Sequence, residues 1–357
     1  MSLDQTTIRD LLRRYVEPVS GADGATLSKA IGVDGDRVVV ELELPYPASS
    51  NHLEIEREVR SLLESSSQVG TATVRVKSRA LTHQVREGLA PLDGVRNILA
   101  VASGKGGVGK STTAINLAMA LQREGANVGV IDADIYGPSV PRMLGLQGKP
   151  ESPDGKRILP MRAHGLQAMS IGCLIEEDAP MIWRGPMVTQ ALMQLLNDTA
   201  WQDLDYLIVD LPPGTGDIQL TLCQKVPVTA AIIVTTPQDI ALLDARKALR
   251  MFQKVDIPVL GVIENMALHV CSNCGHTEHV FGEGGGQRMA EQYDVALLGS
   301  LPLDRRIREQ ADGGEPMVLA EPQSDVALRY GEIARKTAAL LSRRPRNKLL
   351  VGSGLLG

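Results

Sequence analysis

The chain has 357 residues, 43% hydrophobic and 22% charged, which is the balance of a globular protein long enough for two domains. Aromatic residues make up 3% and the net charge is −5, so a nucleic acid or an anionic membrane surface is not the expected partner. The four cysteines are too sparse for a secreted disulfide framework, and MSLDQTTIRD lacks the features of a secretory signal. No stretch reaches the roughly 20 apolar residues of a membrane span. We therefore expect a cytoplasmic protein without stable membrane association.

Residues 1–82 predict a small α+β domain with the order helix, strand, helix, strand. TIRDLLRRYVEP predicts a helix that starts at threonine and stops at proline. RVVVELELP and TATVRVKS alternate in polarity, as half-buried strands do, and a helical apolar face lies between them. Residues 83–95 are polar and interrupted by proline, which predicts a linker.

From residue 96 the pattern changes to short apolar runs separated by helical segments. The runs are NILAVAS, NVGVIDAD, YLIVDLPP, TAAIIVTTP, PVLGVIENM and VALLGSLPL. Such runs are typical of strands buried on both faces, and their alternation with helices predicts an α/β, mainly parallel, doubly wound sheet. Ligands of such sheets bind at the C-terminal ends of the strands. We assign residues 96–343 to this domain and residues 344–357 to a flexible, glycine-rich tail.

The segment SGKGGVGKST follows the first apolar run, opens a helix and fits the P-loop pattern GxxxxGK[ST]. Its candidate phosphate-binding residues are Gly104, Lys105, Gly106, Gly107, Val108, Gly109, Lys110, Ser111 and Thr112. Glycines let backbone N–H groups surround phosphate oxygens, and the helix N-terminus adds positive potential. We expect Lys110 to reach the β- and γ-phosphates and the Ser111 hydroxyl to bind Mg²⁺.

A second lysine, Lys105, directly follows the first glycine of this loop. At the outer rim of a phosphate site, its ammonium could reach the nucleotide of a neighbouring subunit and supply charge in trans, as an arginine finger does. The alternative is a solvated surface lysine.

Acidic residues end two of the predicted strands. Asp132 and Asp134 lie in VIDADIYGPS, and Asp210 lies in YLIVDLPPGTGD. Carboxylates at the C-terminal edge of a parallel sheet face bound phosphates, where a metal ion or an attacking water needs them. The alternative for any one of them is a helix cap. The prolines and glycines after Asp210 predict a stiff switch loop at residues 210–217 that senses the γ-phosphate.

Five motifs together resemble the Mrp/ApbC family of iron–sulfur cluster carrier ATPases. They are SGKGGVGKST, DADIYGPS, DLPPGTGD, VIENM and GSLPLDRRIREQADGGEP, and the resemblance covers roughly residues 96–340. That family belongs to the deviant-Walker-A NTPases, with MinD, ParA and the nitrogenase iron protein. The N-terminal unit resembles the FeS assembly P domain that often precedes the ATPase.

The resemblance implies a role for several residues. Lys105 is similar to the signature lysine and Lys110 to the Walker lysine, while Asp134 resembles the switch I aspartate that positions the attacking water. Asp132 would lie near Mg²⁺, and Asp210 would be the Walker B and switch II acid.

The resemblance also implies the nucleotide and the assembly. Asn265 of VIENM resembles the asparagine that recognises adenine, which makes ATP the expected nucleotide. Members of the family are typically homodimers that enclose two ATP molecules.

HVCSNCGH contains a CxxC pair, Cys271 and Cys274, to which the resemblance assigns a bridging iron–sulfur cluster of the 4Fe–4S type. Such clusters usually take four thiolates, so one pair from each subunit of a symmetric dimer completes a set. The alternatives are a zinc site within one chain that adds His276 and His279, a redox pair, and a purely structural pair. The other two cysteines, at 173 and 223, are expected to be small core residues.

The sequence therefore predicts an ATPase that receives an iron–sulfur cluster and transfers it to apo-proteins, with cluster-assembly scaffolds as further partners. A MinD- or ParA-like positioning ATPase would share the nucleotide motifs but needs no CxxC. A reductase like the nitrogenase iron protein resembles this chain less, because its cluster ligands are single separate cysteines.

Overall fold

The structure, a computed structural model, describes residues 3–174 and 185–347. The elements of its first part are α1 (Gln5–Leu12), α2 (Gly24–Leu27), β1 (Ser28–Asp34), β2 (Arg37–Leu44), α3 (His52–Glu64) and β3 (Thr71–Ser78). Strand β2 is central, antiparallel to β1 and parallel to β3. The buried side chains of β2 and β3 alternate with exposed or half-buried ones, as the polarity pattern predicts.

Several details of this part differ from the prediction: helix α2 was not predicted, and α1 ends at Leu12, before the predicted stop at Pro18. Strand β1 was not predicted, because this edge strand fully buries only Ile31 and its glycine and charged residues hide the alternation. Helix α1 begins after Asp4, whose carboxylate accepts a hydrogen bond from the Thr7 N–H at 2.8 Å, so aspartate and not threonine is the N-cap.

The second part is an α/β unit in which strands and helices alternate. Its strands are β4 (Ile98–Ala102), β5 (Val128–Asp132), β6 (Met161–Ala163), β7 (Leu166–Ser170), β8 (Tyr206–Asp210), β9 (Ala230–Thr235), β10 (Val259–Glu264), β11 (His269–Val270), β12 (Thr277–Glu278) and β13 (Ala296–Ser300). Its helices are α4 (Lys110–Arg123), α5 (Val140–Met143), α6 (Gly185–Asp198), α7 (Asp217–Lys225), α8 (Asp239–Lys254), α9 (Gly285–Gln292), α10 (Arg305–Asp312), α11 (Met317–Ala320) and α12 (Asp325–Ser342).

Within the described residues, the large sheet has the strand order β13-β10-β9-β4-β8-β5-β7-β6. Every neighbouring pair is parallel except β6 and β7, and two separate apolar cores cover the sheet. The predicted mainly parallel, doubly wound sheet is thus confirmed, and β4 lies at its centre. Strands β6 and β7 were not predicted. None of the three residues of β6 is fully buried, and β7 is buried throughout but its sequence, LQAMS, contains two polar residues and forms no continuous apolar run.

The chain segments that flank this α/β unit contact each other. His83, in the predicted linker, is buried, and its ring Nδ1 lies 3.0 Å from the Asn97 side-chain oxygen. Residues 344–347, assigned above to the tail, pair with residues 82–84 through backbone hydrogen bonds. Each segment thereby satisfies backbone N–H and carbonyl groups of the other. Residues 348–357 of the predicted tail lie outside the described part of the chain.

Among residues 3–174 and 185–347, none of the helices has both the length and the hydropathy that a bilayer crossing requires.

A buried polar cluster joins the small sheet to the α/β unit. The Glu124 carboxylate, at the end of α4, forms an ion pair of 2.6 Å with Arg335 of α12 and accepts hydrogen bonds from the backbone N–H and hydroxyl of Ser50. Glu124 is 4% exposed, so this cluster holds the loop before α3 against the far end of the P-loop helix.

We expect Glu124→Ala to lower the free energy of unfolding by about 2–3 kcal/mol, because it leaves a largely buried guanidinium without its counter-ion. Urea denaturation followed by circular dichroism measures the change. Glu332→Ala, on an exposed position of α12, is the matched control and should change stability by less than about 0.5 kcal/mol. Equal stability of the two variants would contradict a role for the cluster in holding the two parts together.

Candidate functional site

The P-loop turns sharply between strand β4 and helix α4, and steric constraints explain why glycine occupies several of its positions. Gly107 and Gly109 have φ angles of +78° and +81°, a region that side chains disfavour. A Cβ atom on Gly104 would lie 2.1 Å from the backbone carbon of Asp244, and one on Gly109 would lie 2.2 Å from the Asn265 amide nitrogen. By contrast, a Cβ on Gly106 or Gly107 would meet no atom within 4 Å. The loop therefore packs tightly on one side and is open on the side where phosphates bind in P-loop proteins.

Lys110 forms the central buried contact of the site. Its ammonium lies 2.5 Å from Oδ1 of Asp210 and 3.2 Å from the Ser111 hydroxyl oxygen. The side chains of Lys110 and Asp210 are only 6% and 0% exposed, and this contact joins the start of α4 to the end of β8. The predicted proximity of these three residues is what the structure shows.

Oxygen ligands for a magnesium ion are present at this contact. Oδ2 of Asp210 is buried and makes no hydrogen bond with any described residue, and the Ser111 hydroxyl lies beside the same lysine. An unpaired buried carboxylate oxygen next to a hydroxyl suits Mg²⁺, which prefers oxygen ligands. The residues present therefore fit the metal that the P-loop pattern implies.

Asp132 and Asp134 have different surroundings. Asp132 accepts hydrogen bonds from the backbone N–H groups of Asp134, Ser139 and Val140, so its carboxylate organises the turn before α5, as in the capping alternative. Burial and the neighbouring Asp210 raise the pKa of Asp132. The Asp134 carboxyl is half-buried, and burial raises its pKa while the Lys110 ammonium lowers it. Asp134 is thus the residue of the two that is open to a ligand.

Lys105 lies on the rim of the loop. Its carbonyl accepts a hydrogen bond from the Ser103 hydroxyl, and among the described residues no carboxylate pairs with its half-buried side chain. The adjacent N-terminal turns of α8 expose two large apolar side chains, Ile240 at 69% and Leu243 at 53%. An unpaired lysine beside exposed apolar residues is suited to contact with another protein surface.

The switch loop and Asn265 both contact the P-loop. The Gly214 N–H donates to the carbonyl of Ser103 at 3.0 Å, which joins residues 210–217 to the loop's first residue. The side-chain amide of Asn265 donates to the Val108 carbonyl at 2.9 Å, and Asn265 is 8% exposed. Asn265 therefore lies against the P-loop, as its motif predicted only through the family resemblance.

The CxxC pair occupies the turn of a short hairpin formed by β11 and β12. The Cys271 N–H donates to the His276 carbonyl at 2.9 Å and the Gly275 N–H to the Cys271 carbonyl at 2.8 Å, with Gly275 at φ +72°. Backbone N–H groups of Asn273 and Cys274 lower the pKa of the Cys271 thiol. Cys274 is exposed and Cys271 partly so, and this turn therefore presents two adjacent thiols, one with increased thiolate character.

The structure does not bring together the four side chains of the alternative zinc site within one chain. His279 directs its ring Nδ1 to the Ala267 carbonyl at 2.8 Å, and its Nε2 lies 3.7 Å from a carboxylate oxygen of Glu283. Among the described residues, no group of three or more His, Cys, Asp or Glu side chains is placed to hold a metal ion. The prediction that Cys173 and Cys223 are core residues is confirmed, since both are buried.

Sequence reasoning missed Glu264, the residue before Asn265. It ends β10 as a buried carboxylate, 4% exposed, and accepts a hydrogen bond from the Gly286 N–H in the first turn of α9 at 2.7 Å. A glutamate that interrupts an apolar run was the available signal, because buried carboxylates require partners.

Comparison with known proteins gives consistent matches. Residues 94–338 match the ParA family profile, described as NUBPL iron-transfer P-loop NTPase. A protein of Pseudomonas fragi named iron-sulfur cluster carrier protein is 60% identical over 74% of this chain and 93% of its own length. A Haemophilus influenzae protein of the same name is 47% identical over 94% of this chain and 92% of its own length. A solved structure of an Archaeoglobus fulgidus nucleotide-binding protein in complex with ADP is 36% identical, with a TM-score of 0.58 over 66% of this chain and 92% of that one.

We expect Gly109→Ala to weaken ATP binding at least about tenfold, equivalent to 1.4 kcal/mol, because a Cβ at that position displaces the Asn265 amide and strains the loop. Isothermal titration with ATP measures the effect. Gly148→Ala is the matched control, since Gly148 also has a φ of +78° but has no atom within 4 Å of the added carbon. Equal affinities for wild type and Gly109→Ala would contradict the steric account of the loop.

Proposed function

Because the chain belongs to the ParA family of NUBPL iron-transfer P-loop NTPases, we propose that it is a cytoplasmic, ATP-dependent carrier that binds an iron–sulfur cluster and transfers it to apo-proteins. The observation that carries this proposal is the exposed CxxC turn on the same chain as a complete P-loop site. The names of the two relatives described above support the same role.

We propose that a homodimer holds a bridging cluster of the 4Fe–4S type. Each chain offers two thiols, Cys271 and Cys274, and no third metal ligand lies beside them among the described residues, so four ligands require two chains. Val270 and Val280, which flank the turn, are 50% and 52% exposed. Exposed apolar side chains on both sides of the turn favour its burial against a second copy.

ATP hydrolysis at this site would use groups that the fold already places together. Lys110 would exchange Asp210 for the β- and γ-phosphate oxygens, and Asp134 would orient the attacking water. Ser111 and Asp210 would hold Mg²⁺, which neutralises phosphate charge when bound. Lys105 would stabilise the transferring phosphoryl group of the neighbouring subunit.

We also propose the wider organisation of the protein. Residues 1–82 would act as a domain similar to FeS assembly P domains, joined through residues 83–95 to the ATPase domain at 96–343. Cluster-assembly scaffolds would load the carrier and apo iron–sulfur proteins would unload it. The switch loop at 210–217 would relate nucleotide state to the cluster.

Two alternative functions account for less of the structure. A positioning ATPase like MinD would use the same nucleotide site and leave the two exposed thiols unexplained. A purely structural zinc at the CxxC would require two further ligands, which the described residues of one chain do not supply.

Anaerobic reconstitution with iron and sulfide is expected to load about four iron atoms per dimer, with visible absorption. The double variant Cys271→Ala/Cys274→Ala should take up none, because it lacks the thiolates. Cys173→Ala, which removes a buried thiol, is the matched control and should load normally. Retained zinc without iron uptake in the wild type would contradict cluster binding.

Lys105→Ala should reduce ATP turnover at least about tenfold and change ATP affinity by less than about threefold, because its charge is expected to act on the transition state in trans. Steady-state phosphate release and ATP titration separate the two effects. Lys149→Ala, which removes an exposed lysine outside the site, should leave turnover unchanged. Normal turnover in Lys105→Ala would remove this lysine from the mechanism.

A further inference from the structure

The CxxC hairpin is an insertion whose two ends return to the same place in the fold. It leaves the sheet at the end of β10, at residue 264, and re-enters the core at the start of α9, at residue 285. Asn265, the residue directly after β10, contacts the P-loop, so the first end of the insertion lies beside that loop.

The first end is a fixed and strained connection. Asn265 donates its side-chain amide to the Val108 carbonyl, and its backbone N–H donates to the Thr235 carbonyl at 2.7 Å. Met266 follows with a φ of +56°, a left-handed conformation that is unfavourable for a non-glycine residue. Ala267 is then held by its N–H, which donates to the Leu301 carbonyl at 2.9 Å. The cysteine turn begins only four residues later.

His279 closes the base of the hairpin. Because its ring Nδ1 faces the carbonyl oxygen of Ala267 at 2.8 Å, Nδ1 must carry the proton and donate. This bond joins the strand that returns from the cysteines to the residue that follows the strained Met266. The hairpin's two strands have only two residues each, so contacts outside them help to define their position. The first strand is held by Leu303, which contacts Leu268 and His269, and the returning strand by this His279 bond.

Glu264 holds the second end. Its carboxylate accepts the Gly286 N–H at 2.7 Å, and the Ser300 hydroxyl lies 3.4 Å from its other oxygen. A carboxylate at a helix N-terminus is stabilised by the unpaired N–H groups and the helix dipole. Close packing supports the contact, since a Cβ on Gly286 would lie 2.9 Å from the Glu264 Cβ. The start of α9 is therefore attached to the residue beside Asn265.

We propose that His279 and Glu264 are positioning residues that attach the CxxC hairpin to the end of β10, so that nucleotide binding at the P-loop changes the accessibility of Cys271 and Cys274. The path runs from the Val108 carbonyl through Asn265 and Met266 to Ala267, and from there through His279 to the hairpin. Glu264 keeps the other end of the insertion at the same strand end. The functional meaning of this coupling rests on the proposed cluster carrier role, but the coupling itself is a property of the apo-protein.

The test measures the reaction of the two exposed thiols with Ellman's reagent in apo-protein, with and without Mg²⁺ and a non-hydrolysable ATP analogue. Cys173 and Cys223 are buried, so the fast phase reports the CxxC pair. In the wild type, we expect the analogue to change the reaction rate at least about threefold. His279→Ala and Glu264→Ala should lose this response and keep analogue affinity within about threefold of wild type.

Conservative variants separate positioning from a merely structural role. His279→Asn retains an N–H donor close to the place of Nδ1, and Glu264→Gln retains an acceptor oxygen, so both should recover the response in large part. Glu278→Ala, an exposed change on the same hairpin, is the matched control and should respond as wild type does. If Glu264→Ala does not fold, His279→Ala alone carries the test, because its side chain is 37% exposed.

An unresponsive wild type, or a full response in His279→Ala, would overturn the proposal. The outcome is independent of cluster binding, because no iron is present in the assay. Failed iron loading with an intact nucleotide response would refute the carrier function and leave the coupling standing.

Discussion

The buried ion pair between Lys110 and Asp210 is the contact on which the site depends. Burying two charges costs several kcal/mol per ion unless they are paired and hydrogen-bonded, so the start of α4 and the end of β8 must stay together. That requirement fixes where the P-loop lies relative to the strand ends. It also leaves one carboxylate oxygen of Asp210 without a donor among residues 3–174 and 185–347, an arrangement suited to a bound cation. The same contact thus contributes to the stability of the fold at the C-terminal ends of the strands and to the chemistry of the site.

The other residues of the site are arranged around this contact. The carboxylate of Asp132, on the neighbouring strand β5, accepts hydrogen bonds from backbone N–H groups of the turn before α5. Asp134, which lies in that turn, is only half-buried and can face the site. On the opposite side of β4, the ends of β9 and β10 bring Asn265 onto the loop. The CxxC hairpin is inserted directly after that residue. Nucleotide chemistry and cysteine chemistry are therefore neighbours along the chain as well as in space.

Much of the fold could be predicted from local patterns, and the failures have physical causes. All six apolar runs became strands. Five of them are buried on both faces, which leaves a signal within each segment, whereas β13 is an edge strand in which only Leu298 is buried. Strands β1 and β6 escaped prediction because they bury few side chains and depend on pairing with the strand that follows each of them in the chain. Glu264 and His279 were not identified as positioning residues, since their partners, Gly286 and Ala267, are recognisable only once the hairpin is folded.

The sequence by itself determined the P-loop, the acidic strand ends and the CxxC pair, because each needs particular residue types at a fixed local spacing. Only the tertiary structure set the contacts that several of these and neighbouring residues make. It turned His279 toward a backbone carbonyl and not toward the thiols, gave Asp132 a capping role and placed Asn265 on the P-loop. These outcomes depend on hydrogen-bond partners contributed by other segments, and a buried polar group takes the partner that the fold brings within reach.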